Sequence, residues 1–403
     1  MQRITNADSL TSYGNIAGRK DLVEILEAGL QATDPYDPVT QLIHVQDGRL
    51  IIHNPAFEPR GAPVSGPEIY DLKKIRHIYV IGAGKGVQRA AKALEDILGD
   101  WLTGGHIIDK KGTAVILDRI DVTLGGHPVP DEDGVQGCRQ ILALTRDLTE
   151  DDLVFTLAAS GFSSLLTLPV PGINLEDIQN TVRILQIERG MPTDALSPIR
   201  NHLDKLKGGR ISAYIHPARM IHLLAKDPAT YDTWIHHNYW VHTFPDHSTF
   251  NDAVRILHAW DAWDAVPKSV QEILLKADPA YETVKPETYQ KFTYRIYGLL
   301  PGEQGLWPSA QKKAAELGYS PVTLALRLDT EACYAGQFVA TVARTIEQEG
   351  KPFKPPVALF TAGELLVKVG EEKGIGGRNQ EYVLSAALKI SGSKHIVIGA
   401  VDT

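Results

Sequence analysis

The chain has 403 residues, of which 43% are hydrophobic and 22% are charged, and its formal net charge is −8. This length suits two domains, or three, each with its own hydrophobic core. The net negative charge gives no general attraction for nucleic acid, which binds clustered lysine and arginine side chains. We therefore expect no nucleic-acid partner.

The sequence contains only two cysteines, Cys138 and Cys333. This count argues against a disulfide framework or a cysteine zinc site and is typical of a reducing compartment. The amino terminus lacks the segments of a signal peptide, and no stretch reaches the roughly 18–20 apolar residues that a membrane span needs. These features predict a cytoplasmic protein with no membrane partner.

Strand and helix patterns alternate along much of the chain. An early helix near residues 21–30 precedes two short strands around Asp47-Gly48, a good turn pair. The clearest unit follows, with predicted strands at 77–81, 113–117 and 153–158 and helices at 87–94 and 137–145. This alternation predicts a parallel sheet covered by helices, with ligands at the carboxyl ends of its strands.

A second alternating region begins near Gly318. Its predicted strands are 323–328, 357–360, 364–369 and 395–401, and its predicted helices are 334–348 and 380–388. The stretch around residues 290–315 looks like a loop. We therefore expect an N-terminal domain of residues 1–300 and a C-terminal domain of residues 301–403.

The first loop that could carry chemistry is Gly82-Ala83-Gly84-Lys85-Gly86, directly after a predicted strand. Glycines let an anion approach the backbone, and the helix that follows offers free N–H groups. Lys85 adds a full positive charge. The spacing matches neither a dinucleotide fingerprint nor a Walker A motif. A tight turn with a solvated lysine fits the pattern equally well.

Two further loops contain polar side chains that could carry chemistry, and the second of them directly follows a predicted strand. His127, in residues 125–131, can donate to a substrate oxygen or shuttle a proton, and a structural histidine fits as well. Ser160 and Ser163, in residues 159–164, can bind phosphate or carboxylate with nearby backbone amides, and helix N-capping is the equal alternative.

Basic side chains form two notable segments in this acidic protein. Arg200 and Lys207 lie in a basic run, for which a solvated helix face is the more common meaning. Arg378 lies in a glycine-rich string that opens a predicted helix, and its forked donors can grip a carboxylate or phosphate. Glu364, on the preceding strand, can bind a metal or orient Arg378.

The histidines at positions 236, 237, 242 and 247 raise the question of a metal site. Their spacing matches no compact pair of ligands on a helix, and adjacent histidines in a strand face opposite ways. We therefore do not expect a metal ion there.

Taken together, five segments resemble the glycerate 2-kinase family, whose older members were labelled putative hydroxypyruvate reductases. The matching segments are residues 80–85, 126–131, 200–209, 363–364 and 376–381. The last two match the family's C-terminal domain, known as the MOFRL domain. Each segment is weak alone, but five in the right order are specific.

The resemblance implies an α/β fold of two α/β domains that face each other across a cleft. The N-terminal domain is then Rossmann-like with a mainly parallel sheet, and the C-terminal domain is of the MOFRL type. The resemblance also implies ATP- and Mg²⁺-dependent phosphorylation of the 2-hydroxyl of glycerate, which gives 2-phosphoglycerate. The expected partners are a nucleotide and a small anionic substrate, and a homodimer is one expectation for the assembly.

The family's site residues carry over to positions of this chain. The expected catalytic residues are Lys85, Arg378 and Asp227. The residues expected to bind substrate or phosphate are Gly82, Gly84, His127, Ser160, Ser163, Arg200, Lys207, Glu364, Asn379 and Asp402. A metal ligand stays open among Asp227, Glu364 and Asp402. The catalytic base stays open among His127, Asp227 and Asp402.

The chain departs from the family pattern at three places. Ser160 and Phe162 stand where relatives have glycines, so a phenyl ring is expected to crowd an approaching anion. The loop around Asp227 has lost its glycines, and aromatic residues such as Trp240 follow it. The chain stops at Thr403, where family members continue, so the C-terminal domain is expected to be incomplete.

Four functions compete on these grounds. The first is a kinase of glycerate or a related small hydroxy acid. The second is a non-kinase enzyme on a carboxylated substrate that keeps the fold and the anion cleft. The third is an NAD(P)-dependent hydroxypyruvate reductase, against which the absence of a small residue at Val87 argues. The fourth is a non-catalytic sensor or assembly subunit.

Overall fold

The computed structural model describes residues 2–302, 305–367 and 377–401. The strands are β1 (Ile43–Gln46), β2 (Arg49–Ile52), β3 (Glu68–Asp71), β4 (Ile78–Ala83), β5 (Gly104–Lys110), β6 (Asp121–Gly125), β7 (Leu153–Ala158), β8 (Arg219–Leu224), β9 (Tyr294–Gly298), β10 (Ser320–Leu328) and β11 (Val357–Gly363). A π-helical segment covers Arg183–Glu188, and 3-10 turns cover Pro55–Phe57, Leu72–Lys74, Gly99–Trp101 and Pro279–Tyr281.

The α-helices of the same residues include several of a single turn. They are α1 (Ala7–Leu10), α2 (Ile16–Gln31), α3 (Tyr36–Leu42), α4 (Gln88–Leu98), α5 (Glu132–Leu144), α6 (Phe162–Leu165), α7 (Leu175–Val182), α8 (Thr193–His202), α9 (Arg210–Ile215), α10 (Tyr231–His236), α11 (Phe250–Ala259), α12 (Lys268–Lys276), α13 (Pro286–Tyr289), α14 (Leu306–Glu316), α15 (Ala332–Glu349) and α16 (Arg378–Lys389).

The chain divides into two compact units. One consists of Pro35–Pro301 and is called here the sheet unit. The other, the terminal unit, combines the described residues of Met1–Asp34 and Gly302–Thr403. None of the helices in the described part of the chain is long and apolar enough to cross a membrane.

The sheet unit is built on a six-stranded sheet whose neighbouring strands are all parallel, in the order β6-β5-β4-β7-β8-β9. Counted from β4 as the first strand, this order is 3-2-1-4-5-6, the order of dinucleotide-binding folds. The predicted α/β class with a Rossmann-like parallel sheet is confirmed. A separate antiparallel sheet, β1-β2-β3, contains the turn at Asp47-Gly48, where both residues have positive φ as predicted.

The strands of the six-stranded sheet have apolar sequences because the sheet is covered on both faces. Every residue of β7 is buried. Side chains alternate between the faces, so Phe155 belongs to one core cluster and Val154 to the other. The same division separates Val80 from Ile81 on β4. Two cores therefore hold the central strands, as expected for a parallel sheet between helical layers.

One predicted strand of this unit is wrong. Residues 113–117 form no strand, and β5 and β6 lie on either side of them. The side chain of Gln88 replaces strand pairing there, because it donates to Ala114 O at 3.0 Å and accepts from Ile116 N at 2.9 Å. The segment is therefore fixed as a loop beside α4.

The amino-terminal residues need a correction to the predicted domain of residues 1–300. Helix α2 packs on α14, where Gly29 lies against Leu306 and Ala310. Tyr319 Oη also donates to Asp21 at 2.6 Å. Residues 2–34 therefore belong by packing to the terminal unit, since the apolar side of α2 finds its partner there.

The terminal unit pairs β10 with β11 in parallel and packs α15 against α16. The stretch predicted as a loop boundary, residues 290–315, contains β9 and most of α14. The predicted strand at 395–401 is irregular, and the described part of the predicted strand at 364–369 is reduced to a bridge between Glu331 and Leu366. Residues 368–369 lie outside the described residues.

A buried histidine in the sheet predicts a pH dependence of folding stability. His222 on β8 is bonded to Thr156 Oγ1 at 2.6 Å and Tyr289 Oη at 2.9 Å, and burial lowers its pKa to about 3. Below pH 6.5 the unfolded chain takes up a proton at this side chain, whereas the folded chain does not. Between pH 7 and 5 this difference should remove about 2 kcal/mol of stability.

Urea unfolding at pH 7 and pH 5 measures this effect, with His222→Gln as the comparison. The variant should lose distinctly less stability than the wild type over this interval, because the remaining histidines contribute equally to both proteins. Equal losses would contradict the assignment of His222 as a neutral buried group.

Candidate functional site

Strands β4 and β7 are neighbours, and the chain leaves them towards opposite sides of the sheet, which creates a crevice at their carboxyl ends. Gly82 and Gly84 allow the chain at the end of β4 to pack closely against β7. A Cβ on Gly82 would lie 2.3 Å from Leu157 O, and one on Gly84 would lie 2.7 Å from Ala159 O. Both glycines are buried against β7, so their physical role is to pack the strands.

The loop after β4 holds Lys85 through its own backbone. Lys85 N donates to Ser160 O at 2.7 Å, and Gly86 N donates to Asp109 Oδ1 at 3.1 Å. Gly84 N bonds to a carbonyl of β5. The expected cradle of free backbone N–H groups is therefore occupied at these three positions. The half-buried Lys85 side chain is the group that can attract an anion.

Asp109 at the end of β5 fixes this loop. Its carboxylate is fully buried and accepts from Gly86 N, from Gln88 Nε2 at 3.0 Å and from Lys110 N at 2.7 Å. One side chain thus joins the Lys85 loop to the start of α4.

Replacing Asp109 by asparagine should lower the free energy of unfolding by about 1–2 kcal/mol, because the amide cannot accept all these bonds. Denaturant unfolding measures the loss, and Asp118→Asn is the matched control because that carboxylate is 85% exposed. Equal stability of the Asp109 and Asp118 variants would contradict this role of Asp109.

His127 follows the edge strand β6, and its ring lies at the crevice between β4 and β7. A Cβ on Gly161 would lie 2.9 Å from His127 Nε2 and 3.4 Å from Lys85 Cγ, so the histidine ring, the lysine stem and the loop after β7 meet. Burial lowers the pKa of His127, and the positive charges of Lys85, Lys110 and Arg200 lower it further. The ring is therefore neutral at pH 7 and can donate to or accept from a substrate oxygen.

Arg200 near the end of α8 brings a second charge to this group. Its Nη2 donates to Gln186 Oε1 at 2.7 Å, and burial lowers its pKa to about 10, so it stays charged at neutral pH. Among the described residues no carboxylate lies within ion-pair distance of Arg200. The guanidinium is therefore a partly buried cation whose charge is not balanced by a neighbour.

Lys207 differs from Arg200 in this respect. It is buried, and its Nζ lies 2.5 Å from Asp204 Oδ2 and 3.0 Å from Thr167 Oγ1. Burial lowers its pKa, although Asp204 opposes this. Ser163, Arg200 and Lys207 line a cavity of about 20 Å³, which has room for about one water molecule. Lys207 thus lines this cavity, and Asp204 already balances its charge.

The ring of Phe162 does not crowd the loop after β7, contrary to expectation. Its side chain is 2% exposed and stacks on the ring of His242, with centroids 5.5 Å apart. His242 Nε2 in turn lies 2.8 Å from Ser163 Oγ. Burial, followed by the charges of Lys207 and Arg200, holds the pKa of His242 well below its usual value.

Ser160 and Asp227 complete the sheet-unit residues predicted for the site. Both are exposed and follow the carboxyl ends of neighbouring strands, β7 and β8. Asp227 Oδ1 accepts from Ala229 N at 2.8 Å, and this turn packs closely on Gly298. The structure thus brings Asp227 to the same edge of the sheet as Lys85.

The remaining predicted residues lie in the terminal unit. Arg378 is the first residue of α16, and its Nη1 lies 2.5 Å from Glu364 Oε1. The two side chains thus form an ion pair, and both roles predicted for Glu364 stay predictions. Asn379 follows on the same helix, and Asp402 lies outside the described residues.

A metal site made by protein side chains alone is not present in residues 2–302, 305–367 and 377–401, where no group of three or more His, Cys, Asp or Glu side chains could hold an ion. His236 Nδ1 and His247 Nε2 are bonded to each other at 3.1 Å. An ion such as Mg²⁺ usually binds one or two carboxylates together with substrate phosphates. Asp227 fits that more modest requirement.

Comparison with known proteins decides the family. Residues 21–275 match a domain of unknown function named DUF4147, and residues 357–403 match the MOFRL family. A glycerate 2-kinase from Pyrococcus horikoshii is 31% identical over 382 residues, which cover 94% of this chain and 81% of the relative. The chain belongs to the glycerate 2-kinase family.

Other members of the glycerate 2-kinase family agree. A D-glycerate 2-kinase from Thermotoga maritima is 31% identical over 81% of this chain and 75% of its own length. A putative hydroxypyruvate reductase from Agrobacterium vitis is 31% identical over 80% of this chain and 81% of its own length. The crystal structure of Thermotoga maritima glycerate kinase superposes with a TM-score of 0.67 at 28% identity, covering 94% of this chain and 81% of that one.

Proposed function

We propose that this protein is an ATP-dependent kinase that phosphorylates the 2-hydroxyl of glycerate, or a hydroxyl of a related small hydroxy acid. The observation that carries the proposal is the group formed by Lys85, His127 and Arg200 at the carboxyl edge of the sheet. It concentrates positive charge in a protein whose net charge is −8. Such a local field suits a substrate and a co-substrate that are both anions.

Phosphoryl transfer needs mainly correct positioning and neutralisation of charge on the phosphates. In the proposal Lys85 binds phosphate oxygens, because its ammonium group has no ion-pair partner among the described residues. Arg200 binds the carboxylate of the acceptor with its planar donors. The neutral ring of His127 orients the acceptor by a hydrogen bond to one of its oxygens.

ATP and Mg²⁺ are part of the proposal. Mg²⁺ would neutralise charge on the nucleotide phosphates, and Asp227 is the described carboxylate that would hold it at this edge of the sheet. Arg378 and Glu364 stay predicted site residues of the terminal unit. The predicted homodimer stays a prediction as well. The cytoplasm is the proposed location, since Cys138 and Cys333 are both free thiols.

The structure does not favour the reductase. A dinucleotide fingerprint would place its third small residue at Val87, but this position carries a buried valine side chain. The two glycines that are present, Gly82 and Gly84, pack β4 against β7.

A panel assay tests the function. We expect ADP release with D-glycerate and ATP, and no NADH oxidation with hydroxypyruvate and NADH. NADH oxidation without any ADP release would replace the proposal with the reductase. Turnover of no hydroxy acid would favour the non-kinase enzyme.

A further inference from the structure

The strongest unassigned feature near the site is the side chain that holds Arg200. Gln186 lies in the π-helical segment Arg183–Glu188, and its Oε1 accepts from Arg200 Nη2 at 2.7 Å. Segments of π-helix are rare in proteins and occur frequently at functional sites. Here a side chain of such a segment bonds the guanidinium of Arg200.

The important property of Gln186 as a partner of Arg200 is that its side chain carries no charge. A glutamine oxygen accepts one hydrogen bond and so fixes the direction of the guanidinium, but it carries no charge. A glutamate has the same size and would add a negative charge at 2.7 Å from the nitrogen. The nearby lysine shows the contrast, because Lys207 is paired with Asp204 and its charge is balanced.

The carboxylate closest to Gln186 in sequence, that of Glu188, already has another partner. Glu188 is paired with Arg183 at the end of the π-helical segment, and both side chains are about half exposed. Burial alone accounts for the lowered pKa of Arg200, without an opposing acidic neighbour. The local structure thus gives Arg200 an orienting bond while leaving its charge for another group.

We propose that Gln186 is a positioning residue that orients Arg200 without neutralising it and so preserves the charge that binds the acceptor's carboxylate. This inference rests on the proposed function in one respect only, namely that the bound anion is a small hydroxy acid. In this proposal the affinity for the anion depends on the absence of charge at residue 186 as well as on its hydrogen bond to Arg200.

The test compares Gln186→Glu with Gln186→Met and a matched control. The control is Gln136→Glu, because Gln136 Oε1 also accepts from an arginine, Arg139, at 3.1 Å on an exposed helix face. Binding of D-glycerate and of inorganic phosphate is measured by calorimetry on the full chain, and thermal unfolding is recorded for each protein.

Gln186→Glu should weaken binding of D-glycerate at least about ten-fold, because an internal ion pair replaces the carboxylate at Arg200. Binding of inorganic phosphate, which Lys85 holds in the proposal, should fall less. The variant should unfold at the wild-type temperature or above it, since a partly buried charge gains a partner. Gln186→Met, which removes the bond but adds no charge, should weaken binding clearly less. Gln136→Glu should bind like the wild type.

Three results would overturn the inference. They are unchanged affinity in Gln186→Glu, an equal loss in Gln186→Met, and absence of any saturable anion binding by the wild type. The proposed function is judged separately by ADP release. If Gln186→Glu weakens D-glycerate binding but no ADP forms, the kinase proposal fails and this inference stands. If ADP forms while Gln186→Glu binds D-glycerate normally, the kinase proposal stands and this inference fails.

Discussion

Replacing Lys85 by alanine should lower kcat/KM for the phosphorylation of D-glycerate by about 10²–10³-fold. The lysine lies at the crevice between β4 and β7, and the backbone N–H groups of Gly84, Lys85 and Gly86 are already bonded. Removing its ammonium group therefore takes away the charged donor of this loop. Steady-state ADP release at varied ATP concentration measures the loss.

The matched control for this substitution is Lys74→Ala. Lys74 is exposed and precedes β4, so it lies at the opposite, amino-terminal end of the same strand. We expect wild-type rates from this variant. A Lys85→Ala protein that is folded and within a few-fold of wild-type kcat/KM would contradict the role given to Lys85.

Replacing Arg200 by methionine should raise the KM for D-glycerate about 10–100-fold and change kcat much less. The loss corresponds to a charged hydrogen bond of about 1.5–3 kcal/mol that is made in the ground state and in the transition state. Methionine keeps the apolar stem that packs in α8. Initial rates at saturating ATP and varied D-glycerate separate the two constants.

Arg139→Met serves as the control for Arg200→Met. Arg139 lies on α5 with an exposed guanidinium that pairs with Glu132. Its replacement should leave both constants unchanged. A fall in kcat alone, without a change in KM, would show that Arg200 does not bind the acceptor's carboxylate.

The sequence predicted the parts of the fold that depend on local patterns. Strands β4 and β7 are short apolar runs followed by glycine-containing loops, and such runs indicate strands buried on both faces. The alternation of strand and helix predicted a parallel sheet, but it did not predict that β4 and β7 are neighbours. The position of Lys85 at the carboxyl edge was therefore predictable before its partners were known.

The partners themselves could not be predicted, because they come from distant parts of the chain. Ser163 and His242 are 79 residues apart and meet only in the folded sheet unit. Asp109 reaches the Lys85 loop from a different strand. The sequence also gives no sign of which way Phe162 points, and its burial against His242 removes the crowding expected from its size.

Arg200 and Lys207 show the same limit more clearly. Both belong to one basic run in the sequence, which suggests that they act alike. The structure separates them, since Asp204 balances Lys207, whereas the neutral Gln186 accepts a hydrogen bond from Arg200. The partner, and not the residue type, decides which of the two charges is available to a substrate.

The most direct test of the central claim is phosphorus NMR of the full chain incubated with D-glycerate and Mg·ATP. We predict that ATP is consumed and that a phosphate ester signal appears at the 2-hydroxyl, giving 2-phosphoglycerate, and that Lys85→Ala suppresses both changes. Unchanged ATP in the presence of D-glycerate, or phosphate attached to a different hydroxyl, would contradict the assignment of this protein as a glycerate 2-kinase.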